Sequence, residues 1–289
     1  MKKILSFVMA LCLFAGLCST FALEAGEARA VIGGDLTEEQ ATTVYESFGI
    51  KRGEAPEIQV TNSEERQYLD GLVDSSVIGT RSISCVYIEI LPEGSGLDVS
   101  TNNITWCSKE MYINALVTAG IDDAKVIVSA PWAVSGTAGL TGIYKAYEDI
   151  SGEELDEIAK LAGTQELVIT AELADEIGNY DAVTIVNELK LLLGETKNMT
   201  DDQLRAQIRE IAAQYNVNIT EGQIDQLVSL CRSLENLGDD ELKEKVESVQ
   251  NTIKKLATAQ EKANKVVESI KNIFQSIGNF FSNLFSKFK

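Results

Sequence analysis

The sequence predicts an α+β protein, with a small sheet and packed helices in its N-terminal half and an all-helical C-terminal half. β-branched and aromatic residues are concentrated in short runs before residue 131, whereas helix-start signals recur after residue 150. From Leu242 onward, apolar residues alternate in steps of four and three, which predicts a long amphipathic final helix. The predicted boundaries are 1–22 for an export signal, 31–150 for the sheet-bearing domain, 151–240 for a helical region and 241–289 for the final helix.

Residues 1–22 have the layout of a secretory signal peptide. A positive start at Lys2 and Lys3 is followed by an uncharged apolar run over residues 4–17 and by a small-x-small site that ends at Ala22. The apolar run is shorter than the roughly 20 residues that a membrane span needs. We therefore predict an exported protein, extracellular or associated with the cell envelope, that is cleaved after Ala22, with Ala30 as the alternative site. An uncleaved N-terminal anchor is the competing interpretation.

Charge and composition exclude several classes of function. The net charge of −19 disfavours nucleic acid as a partner, because an acidic surface repels its phosphates. The chain contains no histidine, which excludes Ser-His-Asp and Cys-His catalysis and histidine metal sites. Catalysis by acidic side chains alone stays open, but no pair of carboxylates stands out. We expect no metal, no cofactor and a non-enzymatic role.

Local signals predict the elements of the sheet-bearing domain. A side-chain oxygen that can accept from a free backbone amide marks a helix start, and such residues are Thr37, Asn62 or Ser63, and Ser108. Runs rich in β-branched and aromatic residues predict strands at 57–61, 83–91, 99–106 and 125–130. Because a glycine-rich turn at 92–96 joins the second run to the third, we predict that these two strands form an antiparallel hairpin.

The region after residue 150 is predicted to be helical. Capping-box patterns occur at 151–154, 200–203 and 220–223. A short apolar run at 167–170 is the one predicted strand in this region.

Three cysteines lie beyond the predicted export signal. Cys85 and Cys107 flank the predicted hairpin, and their midpoint is Gly96 at the end of its turn, so they could lie nearly opposite each other and form a disulfide in an oxidising compartment. Two unpaired, partly buried thiols are the alternative, which the sequence leaves open. Cys231 lies on an apolar helical stripe and is predicted to be a core residue.

Residues 129–142 are the candidate for a small-molecule site, because a strand, a turn and a glycine-rich helix start follow one another there. The segment lacks the lysine of a phosphate loop, and Gly136, Gly139 and Gly142 are three positions apart. That spacing favours a smooth helix face packed closely on a sheet, so structural packing is the preferred interpretation and ligand binding or hydrolysis the alternative. The candidate ligand residues are Trp132, Ser135, Gly136 and Thr137.

The C-terminal segment is unusually rich in phenylalanine. Five of the nine phenylalanines lie within the last sixteen residues, where no acidic residue follows Glu268. We predict that this segment contacts a membrane surface or another envelope protein. Self-association as a coiled-coil oligomer, and folding back onto the preceding helices, are the alternatives. The predicted contact residues are Phe274, Ile277, Phe281, Leu284, Phe285 and Phe288, with Lys271, Lys287 and Lys289 facing headgroups or an acidic partner.

Several short segments together resemble a known family. They are the residues 91–97, 103–105, 109–112, 130–131, 134–138, 140–143 and 145–148. These segments look like the secreted bacterial family catalogued as domain of unknown function 1002, found mainly in Firmicutes, with a match in layout over roughly residues 30–285. The resemblance implies an export signal, a sheet-bearing core and a helical C-terminal half, and it brings no established catalytic residues. Cys85 and Cys107 stand where the family is expected to have other residues, so a disulfide would be a local addition.

Overall fold

The structure is a computed structural model that describes residues 23–237, 242–247 and 249–250. The predicted signal peptide and the phenylalanine-rich segment lie outside these residues. The described part contains a five-stranded mixed sheet in its N-terminal half and only helices beyond residue 136. The predicted α+β class is therefore confirmed.

The five strands have the spatial order β2-β1-β3-β5-β4. β1 is parallel to β2 and antiparallel to β3, while β5 is antiparallel to β3 and parallel to β4. The register places Val31 opposite Val86, and Ile88 opposite Val126. The strand bounds are Ala28–Gly33 for β1, Glu57–Val60 for β2, Cys85–Ile90 for β3, Leu97–Ile104 for β4 and Ala124–Val134 for β5.

The predicted hairpin of the second and third strand runs is wrong, because β5 lies between β3 and β4. β5 is the longest strand, and its side chains Val126 and Val128 are fully buried, so it takes a position with a neighbour on each side. The turn at 92–96 is held instead by Asp123, whose carboxylate accepts from the amides of Gly94 and Gly96 at 3.0 and 2.7 Å. The turn therefore spans the beginning of β5 rather than closing a hairpin.

β1 is a strand that the local patterns did not predict. Its residues from Ala30 to Gly33 are buried, and it is hydrogen-bonded on both sides, to β2 and to β3. The predicted domain start at residue 31 thus falls inside a strand of the sheet. Two alanines and a glycine make half of this strand weak in β-propensity, so its position is decided by its neighbours.

Helices cover both faces of the sheet. On one face lies α1, whose buried residues Val44, Tyr45 and Phe48 pack on Ala30 and Cys85. On the other face lie α4 and α5, and the later helices pack behind them in one continuous apolar core. The helix bounds are Glu38–Phe48 for α1, Asn62–Leu69 for α2, Ser75–Ile78 for α3, Lys109–Thr118 for α4, Thr137–Ser151 for α5, Glu157–Ile177 for α6, Asn179–Leu191 for α7, Leu193–Thr196 for α8, Asp201–Gln214 for α9 and Glu221–Leu234 for α10.

Most predicted helix starts are confirmed by the side chains that cap them. Reciprocal capping boxes are present at Thr37, Ser108, Thr200 and Thr220, while α2 is capped by Thr61, one residue before the predicted cap. The predicted start at 151–154 is wrong, since α5 runs through Ser151 and α6 is capped by Asp156. The predicted strand at 167–170 is also wrong, because these residues lie inside the 21-residue helix α6.

The beginning of the predicted final helix packs on the core. Residues 242–247 and 249–250 are helical, and Leu242 and Val246 are buried in the main apolar cluster. Lys245 pairs with Asp122 at 2.7 Å, and the Gln250 amide donates to Glu188 at 2.6 Å. Leu242 and Val246 thus follow the predicted apolar spacing, and the long final helix stays a prediction because the rest of it lies outside the described residues. Among the described helices, none is long and apolar enough to cross a membrane.

Candidate functional site

The candidate site lies at the edge of the sheet where β1, β2, β4 and β5 end and β3 begins. These ends meet because β1 and β2 are parallel, β4 and β5 are parallel, and β3 runs opposite to both pairs. α1, α2, α4 and α5 begin just beyond the strands that end there. Open α/β sheets commonly bind ligands at the carboxyl ends of their strands, so this edge is where a site is expected.

A cleft of about 540 Å³ opens at this edge, between the segment 76–84, the end of β4 and the beginning of α5. We call it the edge cleft. Its lining is rich in hydroxyl groups and contains a single ionisable side chain, Arg81, among residues that are all described. The lining hydroxyl residues are Ser76, Thr80, Ser84, Thr105, Ser135 and Thr137.

Arg81 differs from the other arginines in its partners. Every other arginine pairs with a carboxylate, and these are Arg29, Arg52, Arg66, Arg205, Arg209 and Arg232. Within the described residues, Arg81 has no carboxylate partner, and its Nη2 donates to the backbone oxygen of Asp35 at 3.0 Å. Its guanidinium carbon lies 5.7 Å from the ring centroid of Trp132, a side chain that is 39% exposed. An exposed arginine is thus held over an exposed indole at the cleft.

The segment that carries Arg81 is fixed by hydrogen bonds from two neighbouring elements. Arg66 on α2 donates to the backbone oxygen of Gly79 at 2.6 Å, and the amide of Ser82 donates to the Asp35 carboxylate at 2.7 Å. The Ser82 hydroxyl donates to Glu65, a carboxyl that is fully shielded from solvent. Burial raises the pKa of Glu65 to about 7, although the bond from Ser82 acts in the opposite direction. These contacts hold Arg81 in place before any ligand binds.

Some residues of the predicted ligand turn pack inside the protein, and others line the edge cleft. Gly136 and Gly139 face inward. A Cβ on Gly139 would lie 2.6 Å from Cγ1 of Val128. Gly136 has a φ of 99°, and its carbonyl oxygen accepts a hydrogen bond from the Tyr112 hydroxyl. The close helix–sheet packing predicted from the glycine spacing is therefore confirmed. Ser135 and Thr137, in contrast, line the edge cleft, and their hydroxyl oxygens are 3.5 Å apart.

The family described as "Protein of unknown function (DUF1002)" matches residues 32–256. This chain belongs to that family. It is also similar to the uncharacterized protein YpuA of Bacillus subtilis (strain 168), with 37% identity over 265 residues that cover 90% of each chain. No solved structure matches this chain. The resemblance stated from the sequence segments is confirmed.

The DUF1002 match includes every residue of the edge cleft and ends before Lys271. The predicted contact residues of the C-terminal segment, Lys271, Phe274, Ile277, Phe281, Leu284, Phe285, Lys287, Phe288 and Lys289, lie beyond the match and outside the described residues. Their role therefore stays a prediction.

The residues predicted as a candidate site did not include the segment 76–84, which lines the edge cleft. A signal was present, because Arg81 is the one arginine with no acidic residue within four positions in the sequence. Its approach to Trp132, 51 positions along the chain, depends on the tertiary structure.

The predicted disulfide between Cys85 and Cys107 is wrong. Both residues are buried free thiols, as is Cys231 among the described residues. Cys85 packs with α1 on one face of the sheet, whereas Cys107 belongs to the core on the other face. With β5 inserted between β3 and β4, the two strands are not neighbours, and the geometry that a disulfide needs is not formed. Cys231 is fully buried in the core, as predicted.

A second cavity of about 470 Å³ lies at the opposite end of α4. Asp156 caps α6 by accepting from the Ala159 amide at 2.9 Å, and one oxygen of Asp122 pairs with Lys245. Oδ1 of Asp122 is buried without a hydrogen-bond partner among the described residues. In the described part of the chain, no group of three or more histidine, cysteine or acidic residues is arranged to hold a metal ion. The edge cleft is the larger of these two cavities and lies at the carboxyl ends of the strands, so it is the candidate site of this DUF1002 protein.

Proposed function

We propose that this DUF1002 protein is an exported binding protein of the cell envelope that holds a small ligand in the edge cleft. The observation that carries the proposal is Arg81, an arginine without a carboxylate partner in the described residues, held in position at a hydroxyl-lined cleft. In a chain with 44 acidic residues, a guanidinium that pairs with no carboxylate among the described residues is suited to contact a ligand.

The lining supports binding rather than hydrolysis. General acid–base catalysis needs a titratable group within hydrogen-bond reach of the substrate. Arg81 is the only ionisable residue among those that line the cleft, and the nearby carboxyl of Glu65 is shielded from solvent behind Ser82. The hydrolytic alternative for residues 129–142 therefore has no base or nucleophile–base pair in the described lining.

Export is part of this proposal, and the position of β1 supports the predicted cleavage site. β1 begins at Ala28, so cleavage after Ala22 leaves the whole sheet in the mature protein. Cleavage after Ala30 would remove half of a strand that pairs on both sides. N-terminal sequencing of the protein from culture medium or envelope fractions is expected to begin at Leu23.

A cleft-filling variant tests the binding site. Ala133 is exposed and lines the cleft, so Ala133→Trp is expected to block it, whereas Ala213→Trp places the same side chain on an exposed position of α9.

Residues 23–289 of both variants and the wild type are screened by thermal unfolding against small sugars, amino acids, carboxylates and phosphates. A ligand at 100 times its Kd stabilises a protein by about 2.7 kcal/mol, which raises the Tm by several degrees. Compounds that stabilise the wild type and Ala213→Trp but not Ala133→Trp support the site. An equal response of all three proteins, or no stabilising compound, contradicts it.

The C-terminal segment is a second candidate for function, favoured by the clustering of five phenylalanines within sixteen residues. We propose that residues 271–289 contact a membrane surface, with their apolar side chains in the interface and Lys271, Lys287 and Lys289 near anionic headgroups. The packing of Leu242 and Val246 on the core supports this, because it attaches the preceding helix to the folded body.

Co-sedimentation with vesicles tests the membrane contact. Residues 23–289 are expected to pellet with phosphatidylglycerol vesicles, and residues 23–270 are expected to stay in the supernatant. Equal pelleting of the two proteins rules the contact out. A change from oligomer to monomer in light scattering after the same truncation, without vesicle binding, would favour a coiled-coil oligomer or an envelope-protein partner instead.

A further inference from the structure

We infer that the ligand of the edge cleft carries an oxyanion, a carboxylate or a phosphate group, which binds to the guanidinium of Arg81. This inference rests on the proposed function and adds the chemical class of the ligand.

The charges around the cleft support an anionic ligand. Acidic residues outnumber basic ones in this chain by 44 to 25, yet no acidic side chain is among the lining residues, all of which are described. Four carboxylates accept hydrogen bonds beside the cleft, and none of these bonds comes from Arg81. Asp35 and Glu65 accept from Ser82, Asp74 accepts from the Ser76 amide, and Asp175 accepts from the Trp106 indole. Arg81 is thus the one charged side chain of the lining, and its positive charge favours an anionic group on the ligand.

The geometry of Arg81 favours an oxyanion in particular. A guanidinium has five N–H donors in a planar fork that matches the oxygens of carboxylate and phosphate. One donor group of Arg81 contacts the Asp35 backbone oxygen, and its guanidinium carbon lies 5.7 Å from the ring centroid of Trp132. Trp132 and Asp35 therefore act as positioning residues that fix the fork, while its remaining donors have no partner in the described part of the chain.

Two further features complement a bound oxyanion. The hydroxyls of Ser135 and Thr137 lie side by side in the lining; that of Ser135 donates to the Val77 backbone oxygen at 3.3 Å, and that of Thr137 can donate a hydrogen bond to a ligand. Thr137 and Ala138 form the first turn of α5, whose N-cap is Gly136 and which has no capping side chain among the described residues. Uncapped amides at a helix start add positive potential on the same side as Arg81.

The chain contains its own reporter for this site. Its two tryptophans are Trp106, which lines the cleft, and Trp132, which contacts Arg81. Any change in intrinsic tryptophan fluorescence therefore reports on the cleft region. Residues 23–289 are titrated with inorganic phosphate and with succinate, and with glucose as a neutral probe. We expect a saturable fluorescence change with at least one of the two oxyanions, with an affinity that falls as ionic strength rises.

Three variants separate a specific site from general charge attraction. Arg81→Gln is expected to lower the oxyanion affinity at least about tenfold, because a charge-assisted hydrogen bond is lost. Arg81→Lys, which keeps the charge but not the fork, is expected to recover only part of the affinity. Arg209→Gln removes the same charge from α9, where Arg209 pairs with Glu221, and is expected to leave the affinity unchanged. Unchanged far-ultraviolet circular dichroism and Tm establish that the Arg81 variants are folded.

The outcomes distinguish this inference from the proposed function. Equal losses in Arg81→Gln and Arg209→Gln, or no fluorescence response to either oxyanion, would overturn the oxyanion inference. If glucose or another neutral compound binds in a manner abolished by Ala133→Trp while oxyanions do not, the cleft is a binding site and the inferred ligand class is wrong. Oxyanion binding that depends on Arg81 and is blocked by Ala133→Trp supports both.

Discussion

The Nζ of Lys190 lies 2.9 Å from Oε1 of Glu166, and neither side chain is exposed to solvent. Lys190 on α7 also contacts the Thr118 hydroxyl at 2.8 Å, and that hydroxyl donates to Glu166 on α6 at 2.5 Å. Burial lowers the pKa of Lys190, and the charge of Glu166 opposes this shift. The ion pair therefore joins α4, α6 and α7 within the core, where either charge alone would be costly.

Lys190→Met is expected to destabilise the protein by about 3–5 kcal/mol, because it leaves the Glu166 carboxyl buried without its partner. Lys190→Met combined with Glu166→Leu is expected to cost less than the sum of the two single changes, since no buried charge is left. Urea unfolding of residues 23–289 measures the free energies. The exposed pair of Arg209 and Glu221 is the control, where Arg209→Gln is expected to cost less than about 1 kcal/mol. A comparable small loss for Lys190→Met would contradict the prediction.

Gly139→Ala is expected to destabilise the protein by roughly 1–3 kcal/mol, because an added Cβ would lie 2.6 Å from Val128 Cγ1 and 2.8 Å from the Tyr112 hydroxyl oxygen. Gly222→Ala is the matched control: it is also in the first turn of a helix, and a Cβ there meets nothing closer than 4.0 Å. That change is expected to be neutral or to stabilise by up to about 1 kcal/mol. Thermal and urea unfolding compare the two, and similar effects would show that the glycine contact is not required.

The carboxyl of Glu65 predicts a pH dependence of stability. Its pKa in the folded protein is about 7, against an ordinary value of 4.5. Between these values the unfolded chain has lost the proton and the folded chain keeps it, so this group makes stability fall as pH rises. Glu65→Gln is therefore expected to gain stability relative to wild type, on the order of 2 kcal/mol from about pH 5 to about pH 8.

Glu64 supplies the control for this measurement. Burial acts to raise its pKa, but hydrogen bonds from Lys145 and Thr61 outweigh burial and lower the pKa below its ordinary value. The contribution of Glu64 is therefore lost only at more acidic pH, and Glu64→Gln is expected to differ from wild type by a constant amount over the same range. Urea unfolding at several pH values compares both variants. A constant difference for Glu65→Gln as well would show that Glu65 ionises normally in the folded protein.

The three cysteines are expected to be unreactive in the folded protein. Burial raises the pKa of Cys85, Cys107 and Cys231 to about 12 each, so the reactive thiolate is scarce and is shielded. The protein used is residues 23–289, without prior reduction. A thiol reagent such as DTNB is expected to label none of the three cysteines in buffer and all three in concentrated urea. If only one thiol reacts in urea, a disulfide is present and the separation of Cys85 from Cys107 is wrong.

Local chemistry accounts for the elements that the sequence predicted. Thr37, Ser108, Thr200 and Thr220 each cap a helix by a bond to a residue three positions away, so the residues that decide the helix start are neighbours in sequence. The spacing of Gly136 and Gly139 predicted a close helix–sheet contact for a similar reason, because helix periodicity places both on one face. The apolar steps that begin at Leu242 likewise indicated a packed helix stripe.

Contacts between distant segments decided the rest. β1 became a strand because β2 and β3 pair with it on either side, and β5 separated β3 from β4, which also separated Cys85 from Cys107. The edge cleft arose because the chain brings Arg81 to Trp132 and to residues at the start of α5. The sequence alone determined the α+β class and most of the capped helices, since these depend on composition and on residues within a few positions of each other, while export stays a prediction. Only the tertiary structure decided the strand order and the site, because strand pairing and ligand clefts are formed by residues that are tens of positions apart.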